Sequence, residues 1–196
     1  SSDLPSCLKL ARIFPLYKSG DPSVLTNYRP ISILPFLSKV FEKIVHKRLV
    51  SFFHRFSLLN NSQFGFRGSH STTDALLSLL GNVTKELNAR KTSILLSLDL
   101  SKAFDTISHV ILLEKLIYYG VRGSILAWFK SYLEDREQFV EIRGEKSVRM
   151  VGGIGVPQGS ILGPFLFLIY INDITRSNIL STVSYADDTT IFASED

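Results

Sequence analysis

Asp187 and Asp188 are adjacent carboxylates set between residues of a different kind. Thr182-Val183-Ser184-Tyr185 lead up to them and Thr189-Thr190-Ile191-Phe192 lead away. β-branched and aromatic residues on both sides of a polar pair spell strand, tight turn, strand. At a hairpin tip both acids stand on an exposed corner, close enough that one takes a raised pKa unless a cation joins them. A divalent-metal site is one reading of the pair. An ordinary turn, where aspartate is a favoured residue, is the other. A third carboxylate strengthens the first. The run Ser93 to Leu98 predicts a short, buried, mostly apolar strand that ends at Asp99. The strand end fixes a side chain while the loop beyond it gives access.

Other residues suit a polyanionic substrate. Lys18 and Arg29 stand on opposite limbs of one expected β-loop, with Lys18-Ser19-Gly20-Asp21-Pro22 as turn chemistry and Pro30 biasing Arg29 towards extended backbone. Such a pair clamps a triphosphate, or is simply two solvated cations. The glycine-dense run Gly152 to Ser160 opens an expected helix from Ile161 to about Ile174, with Pro164 in its first turn. Backbone of this kind approaches a phosphate or a base closely.

Further elements must position these groups. Phe36, Leu37, Val40, Phe41, Ile44, Val45, Leu49, Phe52 and Phe53 recur at helical spacing, which predicts a core-packed helix with Lys39, Lys43, Lys47 and Arg48 on its outer face. The glycines of Gln63-Phe64-Gly65-Phe66-Arg67-Gly68 allow close backbone approach. Ser71 to Asp74 offer N-caps for a helix carrying Ala75, Leu76, Leu79, Leu80, Val83 and Leu87. Helices follow near His109–Tyr118 and Ile125–Leu133, with His109 as a helix-start residue and Trp128 and Tyr132 packed in the core. Phe139–Arg143 and Val148–Val151 form a hairpin around Gly144. Helices and strands mix without regular βαβ alternation, so the fold class is α+β.

Charge is distributed unevenly. Residues 1–70 carry 10 basic and 3 acidic side chains, whereas residues 151–196 carry 1 and 5. A basic front and an acidic back suit a chain that holds a polyanion with one part and metal ions with another. Hydrophobic content of 45% excludes a disordered tail, and the lone Cys7 excludes an internal disulfide and fits a reducing compartment. The apolar run Ile161 to Ile171 is too short to span a bilayer, and no targeting stretch is visible.

The segments LSLDLSKAFDTISH, GVPQGSILGPFLFLIYINDI and YADDTTIFA resemble, in order and spacing, three palm motifs of reverse transcriptases. Upstream, KSGDPSVLTNYRPISILPFLSKVFEKIVHKRL and NNSQFGFRGSHSTTDAL resemble finger motifs of non-LTR (LINE-type) retrotransposon enzymes of the jockey kind. The resemblance covers nearly the whole chain. It implies right-hand fingers and palm, with an antiparallel palm sheet packed on helices. Residues 1–92 are then mainly fingers and residues 93–196 mainly palm, with the thumb absent and expected beyond Asp196.

The implied activity is RNA-directed DNA synthesis on a primer 3′-hydroxyl. Asp99 and Asp187 would be the main ligands of two Mg²⁺ ions, which Mn²⁺ could replace, with Asp188 completing the acidic cluster and the Leu100 carbonyl adding a ligand. Phe104 would be the steric gate under the sugar, and Gln158 and Gly159 would line the nucleotide pocket. Lys18 and Arg29 would hold the triphosphate, and Arg67 would contact the template. An RNA template, a DNA primer and deoxynucleotides are the expected partners, without a membrane. Nuclear action with a cytoplasmic ribonucleoprotein stage is the expected setting. The alternatives are an inactive or domesticated relative that binds RNA, a group II intron-type maturase and an RNA-dependent RNA polymerase. Phe104 speaks against the polymerase of RNA, and the NYRPISIL wording against the intron branch.

Overall fold

The structure, a computed structural model, describes residues 3–174 and 181–195. The chain forms two compact units, each made of two segments: Ser1–Ser51 with Phe104–Phe167, and Phe52–Ala103 with Leu168–Asp196.

The first unit is built on a five-stranded sheet. β1 (Leu10–Tyr17) and β2 (Tyr28–Ile33) form an antiparallel hairpin, and β4 (Arg136–Ile142) lies parallel to β1. Two short strands, β5 (Glu145–Lys146) and β6 (Met150–Gly152), each pair antiparallel with β4. A hairpin around Gly144 is therefore present, but its first strand begins earlier, at Arg136, and joins β1, and its return begins at Glu145–Lys146 rather than at Val148; Met150–Gly152 pairs further back, with Arg136–Gln138. Alternation along β1 buries Ala11 and Ile13 and exposes Arg12 and Phe14, as a strand with one covered face requires.

Helices α3 (His109–Tyr118) and α4 (Gly123–Leu133) supply the core of this unit. Leu112 and Leu116 stand one turn apart on α3, and Phe129, Tyr132 and Leu133 share a face of α4; none is exposed at all. Trp128 stacks on Tyr132 with ring centroids 5.3 Å apart, as core packing of both rings predicts. Helix α5 (Gly163–Ile171) starts later and ends earlier than its apolar pattern predicts. Its start is set by Ser160, whose hydroxyl accepts from the Gly163 N–H at 2.9 Å. It is apolar all round and buried all round, from Phe165 to Ile169.

Helix α1 (Phe36–Arg55) begins where expected, and Leu49 and Phe53 of its expected stripe are buried, but its first half turns its apolar residues outward. Phe36, Leu37, Phe41 and Ile44 are 46–79% exposed, while Ser38 and Glu42 are buried. The cause is a polar lock. Glu42 Oε2 accepts from the backbone N–H groups of Ile161 (2.6 Å) and Leu162 (3.3 Å), ahead of α5. A carboxylate at a helix N-terminus meets unpaired donors and the positive end of the helix dipole. That match orients α1 in preference to its apolar stripe.

The second unit contains an antiparallel sheet in the order β3-β8-β7, formed by β3 (Thr92–Leu98), β7 (Ser181–Tyr185) and β8 (Asp188–Glu195). β3 is an edge strand, and Ile94, Leu95 and Leu96 are 50–63% exposed, so the expectation of a buried strand is corrected. Among the described residues one edge of β3 has no strand partner. Helix α2 (Thr72–Asn88) opens with a capping box: Ser71 accepts from the Asp74 N–H, and the Asp74 carboxylate accepts from the Ser71 N–H at 2.7 Å. Only Ala75 of its apolar set is fully buried, and Leu76, Leu80 and Leu87 are at least half exposed. Among the described residues no helix is long and apolar enough to cross a membrane.

Candidate active site

The acids belong to the second unit. Tyr185 pairs with Asp188, so Ala186 and Asp187 are the two residues of the hairpin turn, as the sequence predicts. The register of β3 on β8 runs to Leu98 opposite Thr189. One step further along each strand stand Asp99 and Asp188. Residues opposite one another in an antiparallel ladder share a face, with Cβ atoms about 5 Å apart. Asp99 and Asp188 are exposed, Asp187 is partly exposed, and Leu100 is half-buried directly after Asp99.

Hard carboxylate oxygens with a backbone carbonyl are the donors that Mg²⁺ prefers, and substrate phosphates and water complete its shell. The donor chemistry and the backbone register fit such an ion. The side chains do not form a complete cage. Among the described residues no three His, Cys, Asp or Glu side chains are gathered to hold a metal, so Asp99, Asp187 and Asp188 are not drawn together as such a group.

The turn rests on Gln63, which no local sequence signal marks, and on Gly65, where the close backbone approach that the sequence predicts is made. Ala186 has φ +57°, an uncommon value for a residue with a Cβ. Gln63 Oε1 accepts from the Ala186 N–H at 3.0 Å, and Gln63 Nε2 donates to the Ala186 carbonyl at 3.1 Å. The same oxygen accepts from the Gly65 N–H at 2.8 Å. A Cβ on Gly65 would lie 2.7 Å from Ala186 Cα, so only glycine fits there. Beside the turn, the Phe64 N–H donates to the Ser184 carbonyl and the Ser184 N–H to the Ser62 carbonyl, both at 2.8 Å. Arg67 donates to the Asn60 and Gln63 carbonyls at 2.8 and 3.0 Å, and burial draws its guanidinium below its ordinary pKa. It braces this segment; a template contact is no part of what these bonds show.

The residues assigned to the nucleotide lie in the first unit. Lys18 follows β1 directly, and its N–H donates to the Asn27 carbonyl at 2.9 Å, extending the hairpin ladder. Arg29 sits opposite Leu16, so Lys18, two residues on, falls on the same face by strand periodicity. Both cations are exposed. The expected pair on opposite limbs of one β-loop is there.

The loops that carry Phe104 and Gln158 are joined by a set of hydrogen bonds, and a Cβ on Gly159 would lie 2.8 Å from the Ser32 carbonyl oxygen. The Val156 N–H donates to the Phe104 carbonyl and the Gly155 N–H to the Ile107 carbonyl, both at 2.8 Å. A Cβ on Gly155 would lie 2.9 Å from the Asp105 backbone. Gln158 Nε2 donates to Asp105 Oδ1 at 2.9 Å, and His109 Nε2 donates to the Gly155 carbonyl at 2.7 Å. The Ser32 N–H of β2 donates to the Gln158 carbonyl at 2.7 Å. The Phe104 ring stacks on Phe167, centroids 5.2 Å apart. Beside these loops a cavity of about 300 Å³ is lined by Ser32, Asp105, His109, Arg136 and Gln158, among others. His109 begins α3 as expected, yet its ring also ties the glycine loop down. No local signal marks Asp105 or Gln63, because their partners lie 53 and 123 residues away in sequence.

Solved telomerases share this fold. The telomerase of Candida albicans, in complex with the TWJ fragment of telomeric RNA, matches with a TM-score of 0.70 at 14% identity over 97% of this chain and 39% of its own. Apo telomerase of Candida tropicalis, truncated from its C-terminal domain, matches with 0.67 at 14% identity over 97% and 44%. The mixed helix-and-sheet architecture is thus one that these telomerases share.

The family model described as reverse transcriptase (RNA-dependent DNA polymerase) matches residues 17–196, and the chain belongs to that family. The probable RNA-directed DNA polymerase from transposon BS of Drosophila melanogaster is 34% identical across 94% of this chain. The RNA-directed DNA polymerase from mobile element jockey of the same fly is 32% identical across 95%. The chain spans about a fifth (21%) of the length of each of these relatives.

Proposed function

We propose that this chain is the core of an RNA-directed DNA polymerase of a non-LTR retrotransposon, adding deoxynucleotides to a primer 3′-hydroxyl opposite an RNA template. The observation that carries the reading is the register of β3 on β8. It brings Asp99 to the end of the sheet where the hairpin presents Asp187 and Asp188.

In this reading Asp99 and Asp187 hold Mg²⁺, or Mn²⁺ in its place, with Asp188 beside them and the Leu100 carbonyl as a further oxygen. Bound divalent ions supply a lowered pKa for the attacking hydroxyl and offset charge on the departing pyrophosphate. Lys18 and Arg29 orient the triphosphate by charge-assisted hydrogen bonds. Phe104, backed by Phe167, presents a flat apolar face where a ribose 2′-hydroxyl would need room and a partner, so deoxynucleotides are preferred. Gln158 and Gly159 line the nucleotide pocket on a loop tied to β2 and to Asp105. The basic residues of the N-terminal third hold template backbone without reading sequence, and Arg67 is assigned to the template side. The nucleus is the setting this chemistry implies for an element that integrates into chromosomes.

Primer extension on poly(rA) with oligo(dT), Mg²⁺ and dTTP tests the reading. Asp187→Asn should lower the rate by about a thousandfold or more while RNA binding stays near the parent's. Equal extension by parent and variant would refute the metal assignment. No extension by either would leave an RNA-binding relative without catalysis. In the same assay Phe104→Ala should admit ribonucleotides, and unchanged sugar discrimination would remove the gate.

A further inference from the structure

We propose that Gln63 is a positioning residue for the acidic turn: its side-chain amide clamps both the N–H and the C=O of Ala186 and so fixes the direction of Asp187. The inference rests on the polymerase reading for its catalytic consequence, but not for the clamp itself.

Gln63 is buried, at 4% exposure, and both ends of its amide are engaged. One end accepts from the Ala186 N–H and the other donates to the Ala186 carbonyl. A single primary amide that pairs with both groups of one residue mimics a neighbouring strand, and the backbone continues the mimicry. Gln63 itself forms a parallel bridge to Ser184, the residue two before Ala186.

The turn needs this support. Ala186 occupies the left-handed region at φ +57°, where a Cβ is disfavoured and glycine is the usual choice. Residues in such conformations persist when their surroundings over-determine them. Here the surroundings are Gln63 and Gly65, whose missing Cβ lets the backbone close to within contact of Ala186. Ala186 is itself buried at 6% exposure, so its polar groups have no water to turn to if the amide is removed. Asp187 follows Ala186 by one peptide bond. Release of the clamp therefore frees the torsions that aim the Asp187 carboxylate.

The test uses the full-length protein and the variant Gln63→Met, which keeps the side chain's length and volume but has no hydrogen-bonding ends. Two readouts are compared. Amide hydrogen exchange is followed in a peptide covering residues 183–189 and in a control peptide covering residues 136–142. Exchange at the turn should rise by about tenfold or more, with the control within about twofold, because only a local opening is released. In primer extension, kcat should fall by about 10–100-fold with KM for dTTP within about threefold, as expected when a reacting group is displaced slightly but the substrate still binds.

Unchanged exchange at the turn would overturn the clamp, and so would exchange raised alike in both peptides. A loss shared equally between kcat and KM would overturn its catalytic role. A parent protein that extends no primer would sink the polymerase reading, while the exchange experiment would still decide the clamp.

Discussion

The two units both tie their functional loops with hydrogen bonds, but back them with very different amounts of apolar packing. In the first, the loops that carry Phe104 and Gln158 join elements with a densely packed interior. Leu112, Leu116, Phe129, Tyr132 and Leu133 have no exposed surface, and burial of each such side chain stabilises by about 1.5–3 kcal/mol. In the second, the sheet that carries Asp99 and Asp188 leaves Ile94, Leu95 and Leu96 more than half exposed or at half. Its acidic turn is held by hydrogen bonds from Gln63 and by the close approach of Gly65. Apolar packing is non-directional and tolerates small shifts of the groups it holds. Hydrogen bonds to both the N–H and the C=O of one residue do not, and a carboxylate that must meet a cation needs the stricter kind of support.

The sharpest way to break this contrast is a pair of substitutions read by urea unfolding. Leu116→Ala opens a cavity in the first unit and should cost about 3 kcal/mol. Leu96→Ala removes a similar volume from an edge strand at 54% exposure and should cost under about 1 kcal/mol. Equal losses at the two positions would mean that the β3 face is covered in solution, and the contrast between the units would not stand.

A second prediction probes the polar lock on α1. Glu42→Ala leaves the Ile161 and Leu162 N–H groups without their acceptor and should destabilise by about 2 kcal/mol. Glu42→Gln keeps one acceptor oxygen and should lose less than half of that. If Glu42→Ala were neutral by the same measurement, the apolar stripe rather than the carboxylate would have to set the helix orientation.

That helix shows where the sequence was legible and where it was not. Strand-turn-strand at Tyr185 to Asp188 was readable because the flanking β-branched residues and the aspartate pair are local signals. The same holds for the β1–β2 hairpin that bears Lys18 and Arg29, for the start of α3 at His109 and for the Ser71 cap. The existence of α1 and the burial of Leu49 and Phe53 were readable from its period, but the facing of its first half was not. Nine apolar residues at helical spacing outvote one glutamate in any pattern count, yet Glu42 finds two donors 119 and 120 residues later. Gln63 and Asp105 escaped for the same reason: an amide or carboxylate reveals its role only through a distant partner. β3 was misjudged in burial because an apolar run reads as covered, whereas the strand order places it at an edge. Carbon-rich periodicity is local information; polar pairing across a hundred residues is not.

The smallest effect concerns His46, which lies edge-on to Phe165 with ring centroids 5.6 Å apart in the first unit. Burial lowers its pKa from the ordinary 6.5, because the cation is poorly solvated beside an aromatic ring. A folded pKa below that of the unfolded chain means that the unfolded chain takes up the proton first as pH falls. The contribution of His46 is therefore fully present above about pH 6.5 and declines as pH drops below it, through the lowered folded value. Asp21 and Asp74 also have lowered pKa values, through hydrogen bonds to Ser23 and Ser71, but their contributions are lost only below about pH 4. Between pH 7 and 5 those two carboxylates stay silent and the imidazole does not. The thermal midpoint should drift downward over that interval, and His46→Gln should flatten the drift. An undiminished drift in His46→Gln would assign the effect to other groups and leave the packed interior of the first unit without a titrating member.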